Sequence, residues 1–205
     1  MKTAFRFLLA LPLSVVLVFT GCDDDPEKEN VPELITQVTL TFTPTGGGST
    51  VVVTATDPDG DGPQDLQVDG PITLVKTTSY ILTLQLINGL LDPGDDEYDI
   101  TGEIEEEADE HQFFFRFSDG VFSSPTGTGN IKDTPATPVG DITYLDEDDN
   151  GRPLGLATSW TTADVTVSDQ SFRVVLKHQP GTKSGTSTSL DGETDMDITF
   201  VLNVN

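Results

Sequence analysis

Two histidines are the only imidazoles in this chain, and each stands close to carboxylates. His111 ends the acidic run EIEEEADEH, with Glu107, Asp109 and Glu110 within the four preceding residues. His178 closes the apolar segment VVLKH, and a loop leads from it to Glu193 and Asp195. If the segments on either side of that loop pair as strands, His178 comes within side-chain reach of Glu193 and Asp195. An imidazole with two or three carboxylates is a workable ligand set for zinc, iron or copper. His111, His178, Glu107, Asp109, Glu110, Glu193 and Asp195 are therefore candidate metal ligands, the alternative being surface histidines in an acidic field.

A second pattern uses oxygen alone. Asp57-x-Asp59-x-Asp61-Gly62 and Asp146-x-Asp148-x-Asn150-Gly151 match the first half of a calcium loop, with alternate oxygen ligands followed by a turn-making glycine. Position twelve, where a bidentate acid belongs, is Val68 in one and Ala157 in the other, so neither is an EF-hand. Loops of this kind serve either as calcium sites or as plain turns. Nothing supports catalysis: the chain has one cysteine and no Gly-x-Ser-x-Gly, His-Glu-x-x-His or glycine loop opening a helix. It reads as a non-enzyme.

The elements that must position these residues are strands. Val38-Leu40-Phe42, Val51-Val53 and Ile81 to Leu86 alternate as half-buried strands do, and no apolar pattern holds helical spacing over three turns. TPTGGGST (44–50 with Thr43) joins the first two as a hairpin, since glycine supplies the positive φ such turns require. Phe113, Phe114, Phe115 and Phe117 form a strand with aromatics on both faces, both of which must be covered. Trp160 reads as core.

The order of segments recurs. VVVTATDPDGDG (51–62) matches GDITYLDEDDNG (140–151), SYILTLQL (79–86) matches SFRVVLKH (171–178), and EEADEHQFFFRF (106–117) matches GETDMDITFVLN (192–203). Residues 119–139 have no counterpart and read as an insertion or a loop between the halves. The expectation is all-β: an antiparallel β-sandwich or barrel over 34–205 built from two related halves, roughly 34–118 and 109–205, sharing the strand 111–117. An immunoglobulin-like sandwich is the alternative. TLVKTTSY (73–80) resembles the tyrosine corner of immunoglobulin-like and fibronectin type III sandwiches, which implies a bond from the Tyr80 phenol to the preceding turn. Phe172, at the repeated position, cannot make it. Antiparallel succession brings both Asp-Gly loops and both acidic stretches to one rim, where clustered carboxylates need a cation, a basic partner or solvent.

At the start of the chain, Lys2 and Arg6 precede an apolar run from Phe7 to Phe19, the pattern of a secretory signal over residues 1–21. Phe19-Thr20-Gly21-Cys22 resembles a bacterial lipobox, which implies acylation of Cys22 and a lipid anchor in the membrane. Residues 22–33 then form an acidic tether whose Asp23-Asp24-Asp25 resembles the surface-export signal of Bacteroidota lipoproteins. The formal charge is −25, and removing residues 1–21 takes away Lys2 and Arg6 and no acid. Nucleic acid is thereby excluded as a partner. With EEEADEHQFFF, LDEDDNGRPLGL and GETDMDITF, these features resemble a group of small Bacteroidota outer-membrane lipoproteins. Relatives in that group are sometimes labelled with the type 1 periplasmic-binding fold, an α/β class that strand periodicity does not support. The resemblance implies a location on the outer membrane, exposed at the cell surface or facing the periplasm, and brings no activity with it. Two functions follow as expectations. One is capture of a divalent metal or metal complex (zinc, iron, copper or calcium) for an outer-membrane TonB-dependent receptor. The other is an adhesion or scaffolding module whose acidic rim meets a basic protein or glycan.

Overall fold

The structure is a computed structural model and describes residues 33–57, 60, 66–137 and 139–205. Cys22, Asp59 and Asp61 lie outside the described residues. Among the described residues, eleven strands run in the order β1 (Gln37–Pro44), β2 (Val51–Thr56), β3 (Gln67–Val68), β4 (Ile72–Leu74), β5 (Ser79–Ile87), β6 (His111–Phe117), β7 (Phe122–Ser124), β8 (Thr143–Tyr144), β9 (Ala157–Thr162), β10 (Val167–His178) and β11 (Glu193–Val204). They make two sheets. One has the order β3-β2-β1-β5-β9-β7 with β8 also on β9, and the other has the order β4-β11-β10-β6. The described chain is all-β in class, a sandwich whose larger sheet curls like part of a barrel. Pairing is antiparallel except between β4 and β11.

Strand alternation builds the core directly. Val38, Leu40 and Phe42 of β1 point inward with Tyr80, Leu82, Leu84 and Leu86 of β5, whereas Ile81 faces out. From the other sheet come Phe113, Phe115 and Phe117 of β6, Phe172 and Val174 of β10, and alternate residues of β11 from Met196. The sheets interlock through aromatic edges: Phe42 lies 5.8 Å from Phe172, and Trp160 of β9 lies 5.1 Å from Phe172 and 5.4 Å from Phe117. Trp160 is fully buried, as expected of a core residue, and its indole N–H donates to Thr158.

Both faces of β6 are covered. Phe114, on the outer face, packs with Val175 and with Ile131 from the 119–139 segment. That segment is stitched to the strand, because Asn130 accepts the Phe115 N–H and Arg116 donates to the Ile131 carbonyl and to Asp133. The tyrosine corner is present too: the Val75 N–H donates to the Tyr80 hydroxyl at 3.0 Å. Of the matched segments, β2 and β8 both sit in the larger sheet, β5 and β10 lie in different sheets, and β6 and β11 flank β10.

One expectation is corrected. The acidic run is not a strand approach but a helix, α1 (Ile100–Glu106), after a 3-10 turn at Asp96–Tyr98. Ile100 and Ile104, four residues apart, are both buried, and Thr101 both accepts from and donates to the backbone of Leu86. Two apolar residues on one face hold two turns of helix, too short for a three-turn periodicity to register.

Candidate metal centre

Glu103 lies on α1, Glu107 caps its end and His111 opens β6 after a turn, with the Glu107 and His111 amides donating to the carbonyls of Glu103 and Glu107 in succession. The Glu107 carbonyl receives both the His111 N–H and the His111 Nδ1, each at 3.2 Å. A carbonyl only accepts, so Nδ1 carries the proton and Nε2 keeps its lone pair.

Strand pairing supplies the second imidazole. His178 is the direct cross-strand partner of His111, and the two rings stack with centroids 4.5 Å apart and planes 5° from parallel. His178 Nε2 lies 3.2 Å from a Glu110 carboxylate oxygen. On the other side of β10, the register shifts between Leu176 and Lys177, whose partners are Met196 and Thr194. Asp195 is the extra residue of that bulge. Plain alternation would place it outward with Asp197, but its side chain is only 1% exposed, against 42% for Asp197. Gly192 permits the tight return into β11, since a side chain there would strike the His178 carbonyl.

The bulge aims Asp195 at His111. Asp195 Oδ2 lies 3.8 Å from His111 Nε2, and neither Asp195 oxygen nor His111 Nε2 has a hydrogen-bond partner. Glu107, His111 and His178 each bring a donor atom to within 4.8 Å of the others. Glu33, the last residue of the expected tether, hydrogen-bonds Glu103 and feels the charges of Glu103, Glu107 and Asp195.

Electrostatics follow from burial. Desolvation and the nearby His178 push His111 down to about 4, so its ring is neutral at pH 7. Burial raises Asp195 to about 6 against the pull of His178 and Lys177. Burial, then the bond and charge of Glu103, raise Glu33 to about 8.

The expected ligands thus divide. Glu107, His111 and His178 converge, while Asp195 faces His111 and Glu110 contacts His178 from the margin. Glu193 pairs with His178 along the backbone but is exposed, and Asp109 is exposed and contributes its charge toward Lys183. Sequence reasoning missed Glu33 and Glu103. The four-residue spacing of Glu103, Glu107 and His111 could have revealed the latter, whereas nothing in the polar run around Glu33 marks it.

The Asp-Gly loops are differently occupied. Asp146 spends both oxygens on the Gly155 and Ala157 amides, while Asp148 accepts from Asn150 and Arg152 and lies 3.3 Å from Lys183 Nζ. The side chains of Asp148 and Lys183 are fully buried, and the ammonium also donates to the Ala108 carbonyl. Burial opposes the charge on Asp148, but the two amides and the ammonium hold its carboxyl below the usual range. The counter-charge beside Asp148 is a lysine, Asp146 and Asp148 accept the amides of the turn, and Asn150 is exposed. In the first loop, Asp57 accepts the Gly60 N–H, and its own amide donates to Thr36 near Glu33.

No protein-family model matches the chain, and neither does any curated protein or solved structure.

Proposed function

We propose that this protein is a non-enzymatic outer-membrane lipoprotein that binds a divalent transition-metal ion, free or as a complex, through His111, His178, Glu107 and Asp195. The observation that carries the reading is the buried, unpartnered facing of His111 Nε2 and the Asp195 carboxylate. Two acceptors turned toward each other away from water cost free energy, and only a proton or a cation between them offsets it. The proton bonded to the Glu107 carbonyl leaves Nε2 in the form a metal takes, the arrangement by which ligating histidines are commonly held. Two nitrogen donors favour zinc, iron or copper over calcium, which prefers all-oxygen shells. Acylated at Cys22, such a protein holds metal at the membrane surface for a TonB-dependent receptor.

The test is a thermal-melt titration of chelator-treated protein with zinc, iron(II) and copper, against sodium chloride matched for ionic strength. An ion at a hundred times its dissociation constant adds about 2.7 kcal/mol, which is a rise of several degrees at roughly 2–4 °C per kcal/mol for a chain of this size. His111→Ala removes the metal-specific rise and keeps the salt response. If no ion exceeds matched salt, metal binding fails, and the acidic end is left as a surface for a basic protein or glycan.

A further inference from the structure

The two sheets divide the charge of the protein unequally. Strands β1, β2, β3, β5, β7, β8 and β9 of the larger sheet contain no Asp, Glu, Lys, Arg or His, in a chain of which 22% is charged. The smaller sheet instead carries Arg116, Arg173, Lys177, Asp195 and Asp197 on β6, β10 and β11. On the outer face of the larger sheet, register sets Thr54, Thr39 and Gln85 in one cross-strand row and Val52, Thr41 and Thr83 in the next. Hydroxyls meet across the strands, with Thr39 and Thr54 3.4 Å apart and Ser79 and Thr161 2.8 Å apart. Each hydroxyl has one proton and two lone pairs, so such a pair still has bonding capacity for a ligand. Between the hydroxyls lie methyl groups, and Val52 and Ile81 are 57% and 38% exposed. Phe42, Tyr80, Phe122 and Trp160, the aromatics of these strands other than Tyr144, are buried inside, and Tyr144 packs against the same core.

We infer that the outer face of the larger sheet is a binding surface for a neutral polysaccharide. A face without ions can be covered with no charge to desolvate, and that suits a partner which has no charge to pair with it. Sugar hydroxyls donate and accept as threonine and serine do, and sugar C–H faces match the methyl groups. Nucleic acids and acidic glycans are repelled by the net charge of −25. A basic partner is drawn to the acids elsewhere on the molecule. Protein interfaces are rich in aromatic residues and arginine and poor in serine, the opposite of this face. The assignment is independent of the metal-binding reading.

Affinity electrophoresis of the full chain through gels containing dextran, mannan or neutral xylan, with polygalacturonate and heparin as anionic controls, tests it. Retardation by at least one neutral polymer and by neither anionic one is expected. Thr83→Lys and, separately, Val52→Lys place an ion at either end of the central row. Each weakens retention by about tenfold or more, because the ion must be covered without a partner. Val201→Lys adds the same charge at an exposed position of the smaller sheet and leaves retention unchanged. Melting temperatures of the three variants show that the fold is kept, and the two face variants guard against the failure of either. No retention by any neutral polymer overturns the inference, as does retention that both face variants preserve. Sedimentation velocity supplies the remaining outcome: a dimer that Thr83→Lys dissociates assigns the face to a second copy of this chain and overturns the polysaccharide.

Discussion

His111 and His178 face one another across β6 and β10 with rings 4.5 Å apart and nearly parallel. Imidazole lone pairs lie in the ring plane, so those of parallel rings run alongside each other, and a tilt of one ring is what brings both nitrogens onto a single ion. His178→Phe separates the two roles of that ring. It keeps a flat, buried stacking partner and removes the ligand, so the zinc-induced rise in melting temperature disappears while the metal-free melting temperature changes by no more than about 1.5 kcal/mol equivalent. A zinc response that persists in His178→Phe contradicts its place in the ligand set.

The metal-free protein becomes less stable as pH rises from 6.5 to 8.5. Glu33, raised to about 8 from an ordinary 4.5, holds a proton in the folded state that the unfolded chain has released, so its contribution is present at low pH and lost as pH passes 8. Asp195, raised to about 6, acts likewise at lower pH, partly opposed between 4 and 6.5 by His111, whose burial penalises protonation. Above 6.5 only the Glu33 contribution among these three still changes; Glu103, Glu107, Glu110 and His178 complete the surroundings. Differential scanning calorimetry without metal should show the decline, and Glu33→Gln should flatten it. Saturating zinc opposes it, because metal binding favours deprotonated ligands. A metal-free melting temperature that climbs over this range contradicts the assignment.

Lys183→Met strands Asp148. The ammonium is the buried counter-charge of that carboxylate and also ties the 179–192 loop to Ala108. Removing one member of a buried pair costs about 3–5 kcal/mol, measurable by urea denaturation. Adding Asp148→Asn, which keeps Oδ1 for the Asn150 and Arg152 amides, recovers part of the loss. A single mutant within about 0.5 kcal/mol of wild type contradicts the pairing.

Tyr80→Phe and Trp160→Ala grade the core. The former loses only the bond from the Val75 N–H, at about 1 kcal/mol. The latter empties the junction of the Phe115, Phe117, Phe122 and Phe172 rings, at about 3–5 kcal/mol. Equal losses in urea melts would show that the tyrosine corner carries more than its one bond.

Cys22→Ser tests the anchor. Serine cannot carry the acyl chains that stable anchoring requires, so the variant is released to the soluble fraction while wild type sediments with membranes. Membrane association of the serine variant contradicts the lipoprotein reading.

The strand content was legible because it depends on near neighbours. The alternation of Val38, Leu40 and Phe42, the glycine turn after Pro44 and the Thr73–Tyr80 corner are local patterns, and the fold keeps each of them. The chemistry at His111 and His178 was legible only as a suspicion of metal, since composition names ligand types but not their partners. Their stacking depends on the register of β6 against β10, fixed by aromatic packing along the strands. Asp195 turns inward only because β11 bulges, and period-two alternation places it outside. Glu33 joins the site from seventy residues before Glu103, where its flanks read as tether. Lys183, a lone cation in a polar loop, becomes the counter-ion of Asp148 only when that loop folds back over Ala108. Long-range juxtaposition and burial decide which carboxylates are solvated, which are paired and which are left facing a lone pair, and these are properties of the tertiary structure alone.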